Sequence, residues 1–184
     1  EKNMFALKLI SEEFRNDKAL FLEAVKMSSI ALDGASDELK NDRELVLESV
    51  KTSGGSLQYA SEELKNDIEL VREAMNQSYN AFRYASEELR DDNELVLEAV
   101  RASSHTFRYA SDRLKNDRDF VLDVVKINGY VLEHAGEMLK DDDEIVREAL
   151  NFYGHPFKYA SDRLKRDRGF IREAARISGV VLEY

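Results

Sequence analysis

Apolar and polar positions along the 184-residue chain recur with a period of 25, without insertion or deletion. Counted from Ser36 as position 1 (SDELKNDRELVLESVKTSGGSLQYA), copies begin at Ser11, Ser36, Ser61, Ser86, Ser111, Gly136 and Ser161. Position 4 is always large and apolar: Phe14, Leu39, Leu64, Leu89, Leu114, Leu139 and Leu164. Positions 10, 11, 14 and 15, as in Leu95, Val96, Ala99 and Val100, form the apolar stripe of an amphipathic helix. In the second copy this predicts a helix over roughly 42–52, with charged residues at positions 9, 13 and 16 facing outward. Asn or Asp at position 6 is followed three residues later by an acid, as in Asn41/Glu44 and Asp141/Glu144, which is capping-box spacing. The Asp that fills position 7 in all seven copies then sits in the positive first turn. Glycine at position 19 (Gly54, Gly129, Gly154, Gly179) predicts a left-handed stop. A second helical stretch covers positions 20 to about 29 and buries Leu57, Ala60 and Leu64. Ser61, before Glu62 and Glu63, lies inside that helix or caps a restart, and the restart is preferred.

Neither stretch is long enough to stand alone, so each copy must bury its apolar face on its neighbours. The expected fold is all-α: an αα-solenoid, a superhelical stack of seven 25-residue repeats. It is read as a single domain over 1–184, in which 1–10 close a preceding repeat and the repeats occupy 11–35, 36–60, 61–85, 86–110, 111–135, 136–160 and 161–184.

Composition supports helices. The chain is 43% hydrophobic and 35% charged with one proline, which argues against an all-β or disordered chain. No run of eighteen apolar residues predicts membrane insertion, and no leader is visible. A net charge of -10 argues against nucleic acid, whose phosphates are bound through lysine and arginine. The absence of cysteine leaves reducing and oxidising compartments open, with a soluble cytoplasmic location preferred.

With the copies aligned, YASEELKNDIELVREA (59–74) and YASEELRDDNELVLEA (84–99) resemble a family of tandem helical repeats catalogued as a domain of unknown function, DUF4116. The resemblance covers almost the whole chain. It implies repetition and carries no catalytic residues. Gly34 and His134 depart from it by replacing the aromatic before Ala, and Gly136 by replacing the Ser.

Candidate chemistry is sparse. His105 and His155 fall two repeats apart, about 20 Å in a regular stack and too far to share a metal. His134 and His155, in adjacent copies, fit a surface role better than a ligand role. The run Asp141, Asp142, Asp143, Glu144 fits helix-start acids better than a calcium loop. Phosphate-cradling glycines, a nucleophile elbow and a zinc-protease motif are absent. No cofactor and no enzymatic activity are expected.

Tyr59, Tyr84, Tyr109 and Tyr159, at position 24, read as a packing ladder or as aromatic anchors for a peptide. Positions 8, 20 and 23 vary, as a stack allows wherever packing makes no demand and as a binding surface requires. Arg118 and Arg168 (position 8), His105, Tyr130 and His155 (position 20) and Arg83 and Arg108 (position 23) are the resulting candidates for partner contact. Charge reversal at Arg118 and Arg168 is expected to leave stability nearly unchanged. The expected function is a non-catalytic scaffold for another protein or a peptide. The alternative is a structural subunit joined through its ends to further copies or to other subunits, because the chain stops at Tyr184 without a polar capping repeat.

Overall fold

The computed structural model describes residues 12–152 and 154–184, and its helices recur every 25 residues, with no strand among the described residues. Ser11 and the stretch 1–10 expected to close a preceding repeat lie outside the described residues. The fold is an all-α solenoid of tandem repeats.

Each copy has three pieces rather than two. In the second copy these are a four-residue α-helix, Asp37–Lys40, a ten-residue α-helix, Arg43–Thr52, and a 3₁₀-helix, Gly54–Tyr59. The continuous second helix is therefore corrected to a 3₁₀ turn and a short α-helix, separated by extended backbone at positions 25 and 1. Ala60 (φ -66°, ψ 158°) and Ser61 (φ -61°, ψ 159°) make that break. Ser61 caps the restart, its hydroxyl accepting from the Leu64 N–H at 3.2 Å.

The long helix begins one residue later than capping-box spacing implies. Asp42 is itself the cap, accepting from the Leu45 N–H at 3.0 Å, and position 7 plays this part in every copy. Its recurrence thus satisfies a helix-start N–H rather than only facing the dipole. The long helix of the second copy ends on extended Ser53 (φ -159°), not on a left-handed glycine. Only Gly154 among the described residues has positive φ, 77°. Gly54 has a different role: a Cβ there would lie 2.1 Å from the Ala74 carbonyl oxygen, so its missing side chain lets the next helix approach.

The chain comprises two compact units, Glu1–Leu89 and Arg90–Tyr184. In the first, long helices Lys18–Met27, Arg43–Thr52 and Ile68–Gln77 pack in series over a core that includes the fully buried Phe21, Leu45, Leu57, Leu70 and Phe82. In the second, helices Asn93–Ala102, Arg118–Ile127, Asp143–Leu150 and Arg168–Ile177 do the same around Leu95, Phe107, Leu114, Leu132, Ile145 and Phe157. Burying one such side chain contributes about 1.5–3 kcal/mol. Phe14 departs from the position-4 pattern and is 51% exposed.

Adjacent copies within each unit are joined by one recurring backbone bond, from the N–H at position 1 to the carbonyl at position 5 of the copy before. It links Ser36 to Arg15, Ser61 to Lys40 and Ser86 to Lys65 in the first unit, and Ser111 to Arg90, Gly136 to Lys115 and Ser161 to Lys140 in the second, at 2.8–2.9 Å. Position 6, relieved of capping, joins the same seam. Asn41 accepts from the Ser61 hydroxyl and donates its amide to Glu63, and Asn66 does so with Ser86 and Glu88. Where position 6 is Asp it can only accept, and the next position 3 is then Arg. Asp91 receives Ser111 and Arg113, and Asp141 receives Ser161 and Arg163. The seam of Asn116 departs from both types: Gly136 has no hydroxyl, Met138 is 82% exposed, and the Asn116 amide turns to the Asp112 carbonyl.

Position 8 joins this system in most copies, which corrects its reading as a free position at Arg118. Arg43 pairs with cap Asp67 at 2.6 Å, and Arg118 with cap Asp142 at 2.8 Å and with Glu144. Asn93 and Asp143, by contrast, accept from the Arg that serves Asp91 or Asp141. The two seam types predict a rescue. Arg113→Glu sets like charges face to face, and an exposed pair of this kind should lower Tm by a few degrees. Adding Asp91→Asn recreates the Asn66–Glu88 pairing and should restore Tm; thermal denaturation showing the double variant no better than Arg113→Glu would refute the pairing rule.

Candidate functional site

Position 24 decides where the surface opens. Tyr59, Tyr84, Tyr109 and Tyr159 are half-buried there, and cations at position 23 lie over three of the rings: Arg83 at 4.4 Å, Arg108 at 5.3 Å and Lys158 at 4.6 Å. Two clefts coincide with the two copies that lack this tyrosine. One, of about 570 Å³, surrounds Gly34 and is lined by charges of both signs (Arg15, Asp33, Asp37, Lys40), without an aromatic ring. The other, of about 380 Å³, surrounds His134.

The His134 cleft lies wholly within the second unit and draws on three successive copies. The 3₁₀-helix Ser104–Tyr109 supplies Ser104 and His105, and Gly129–His134 supplies Tyr130, Glu133 and His134, with Asn128 as its cap. His155–Tyr159 supplies Lys158 and Tyr159. A 3₁₀-helix places residues three apart on one edge, so positions 20 and 23 reach the cleft together, and position 24 lines it as well.

Its polar groups are partly engaged. The Tyr159 hydroxyl donates to Glu133 at 2.8 Å, and Lys158 rests over the same ring. Burial pushes the Tyr159 pKa up, opposed by Lys158 and assisted by Glu133, so the hydroxyl keeps its proton at neutral pH. The Asn128 carbonyl oxygen accepts from the Tyr130 N–H at 2.9 Å, which directs its amide NH₂ away from that bond. Burial lowers the pKa of His134 below its ordinary 6.5; Glu133 opposes this, and Arg108, Lys115 and His105 add to it. His134 is therefore neutral at pH 7, in a neighbourhood where cations outnumber carboxylates.

Of the residues proposed from sequence, His105, Tyr130 and Tyr159 meet in this cleft. Tyr59, Tyr84 and Arg83 belong to the other unit, and Arg108 stacks on Tyr109 at its exposed edge. His155 faces the Tyr184 hydroxyl at 3.2 Å, while Arg118 is held by the next copy's cap and Arg168 is exposed on a long helix. Glu133 and Lys158 come from the variable position 23 and His134 from the histidines read as surface residues, while Ser104 and Asn128 complete the cleft without having been proposed. The signal that points to them is the loss of the position-24 aromatic at His134. No described helix is long and apolar enough to cross a membrane.

The family model for Domain of unknown function (DUF4116) matches residues 1–40, 19–60, 42–90, 92–140 and 142–184. The chain belongs to this family. In this DUF4116 chain the last three matches begin fifty residues apart, so one family unit spans two of the 25-residue copies. The same interval separates Asp91 with Arg113 from Asp141 with Arg163. No curated protein and no solved structure matches the chain.

Proposed function

We propose that this DUF4116 chain is a non-catalytic scaffold that binds a protein or peptide segment through the His134 cleft. One observation carries the reading: the cleft opens at one of the two copies whose position 24 is not tyrosine, and three neighbouring copies line it with different polar groups. A stack held by repeated seams has no packing need for that opening, whereas a concave site with a few placed polar groups is what recognition uses. Most of the Asp side chains at positions 6 and 7 are occupied as caps or seam acceptors, and the acids repeated at positions 9 and 13 lie on the outward face of the long helix, which fits capping and solvation better than acid–base chemistry.

His134→Tyr is the direct test, because the fold already accepts tyrosine at this position in other copies. Peptides selected from a random display library against the native chain should lose at least about tenfold in affinity, near 1.4 kcal/mol, for the variant whose cleft is refilled. Selected peptides that bind His134→Tyr as well as the native chain would place recognition elsewhere.

A further inference from the structure

We propose that the His134 cleft accepts the carboxylate of an acidic side chain in an extended peptide, an inference that rests on the cleft being the contact site. Glu133, the one carboxylate in the lining, already accepts from the Tyr159 hydroxyl. The Asn128 oxygen is occupied by the Tyr130 N–H.

Of what remains, the Lys158 ammonium and the Asn128 NH₂ only donate, whereas the Ser104 hydroxyl and the two imidazoles can donate or accept. Among the described residues no hydrogen bond occupies the Ser104 hydroxyl, the Asn128 NH₂, or the imidazoles of His105 and His134. The Lys158 ammonium has three N–H groups and uses them only in part against Tyr159. The donor-only Lys158 ammonium and Asn128 NH₂ favour a ligand that brings acceptors, and a carboxylate brings two oxygens with about four lone-pair sites. A lysine or arginine side chain brings only donors. It would face Lys158 and the nearby Arg108, with Glu133, already shared with the Tyr159 hydroxyl, as its one carboxylate partner in the lining.

Charge acts in the same direction. Lys158 lines the cleft, and Arg108 and Lys115 lie close enough to bias His134 toward its neutral form. Lys115 is partly offset by Asp112 at 3.7 Å. The chain as a whole carries -10 and repels an acidic peptide at long range, but physiological salt screens that repulsion beyond about 8 Å. Within the lining Lys158 and Glu133 balance, and the nearby Arg108 and Lys115 tip the local field positive.

The test uses one peptide frame, acetyl-Gly-Thr-X-Thr-Gly-amide, with X as Glu, Gln or Lys, titrated to millimolar concentration into the whole chain and followed by NMR. The Glu peptide should move the ring signals of His105 and His134 and the side-chain NH₂ of Asn128. The Gln peptide should bind at least about tenfold more weakly, and the Lys peptide should leave these signals in place. Lys158→Met should bring the Glu peptide down to the level of the Gln peptide while leaving the spectrum otherwise native.

Equal or stronger binding of the Gln or Lys peptide at the same signals would overturn the carboxylate assignment and leave the cleft as a peptide site. No movement with any of the three would also overturn it. The cleft as contact site falls only if library-selected peptides ignore His134→Tyr, so the two failures are separable.

Discussion

Leu114→Ala should lower the stability of the chain by about 2–5 kcal/mol, because the lost methyl groups leave a cavity that a close-packed interior cannot fill. Leu114 has no exposed surface, and its N–H is the one held by the Ser111 hydroxyl at 3.2 Å. It thus closes the short helix Asp112–Asn116 and the core at once. For a chain of this size the change corresponds to a fall of about 4–20 °C in Tm. Leu182→Ala, at a side chain 69% exposed, is the control and should stay within about 0.5 kcal/mol. Urea titration of both variants measures the difference, and a Leu114 variant indistinguishable from the Leu182 variant would mean that position 4 does not build the core.

The second large effect concerns a cap. Asp67→Ala removes the acceptor for the Leu70 N–H at 3.0 Å and should destabilise the chain by about 0.5–2 kcal/mol. It also releases Arg43, which bridges to Asp67 from the preceding copy. Asp67→Asn separates the two roles, since asparagine caps as well as aspartate but cannot pair with a cation. The Asn variant should recover most of the loss; an Asn variant as damaged as the Ala variant would show that the ion pair, not the cap, holds this seam.

The same carboxylate gives a pH dependence. Burial pushes Asp67 up, but the Arg43 hydrogen bond and the Leu70 N–H outweigh it, so its folded pKa lies below the ordinary 3.8. A depressed acid contributes stability above the unfolded value, and that contribution drains away as pH falls through the folded one.

Periodicity alone exposed the architecture. The 25-residue interval, the apolar stripe of the long helix and the recurrence of Leu at position 4 each follow from the 3.6-residue turn and the need to bury a face. Cap placement was less legible, because positions 6 and 7 both carry residues able to cap and local spacing cannot say which of them a neighbouring copy has engaged. Asn41 looks like a cap until Ser61 and Glu63 are seen bonded to it. For the same reason Arg118 read as a free surface charge: its partners, Asp142 and Glu144, lie in the next copy.

The cleft was partly legible. His105, Tyr130 and Tyr159 stood out as variable or aromatic positions, yet their convergence depends on the 3₁₀ geometry of three successive segments, and an apolar period does not reveal that geometry. His134, first noticed as a departure from the repeat, marks the opening because a five-membered ring stands where a phenol otherwise fills the space.

The seam between copies has a direction. Each copy offers an N–H at its leading edge and a carbonyl at its trailing edge, as Ser61 does to Lys40 and Ser86 to Lys65. A ribosome releases such a chain N-terminal copy first, so every later copy meets a neighbour that already displays its acceptor. Growth and folding can then proceed in step, with no copy waiting for sequence still to be translated before it finds the backbone partner of its first residue.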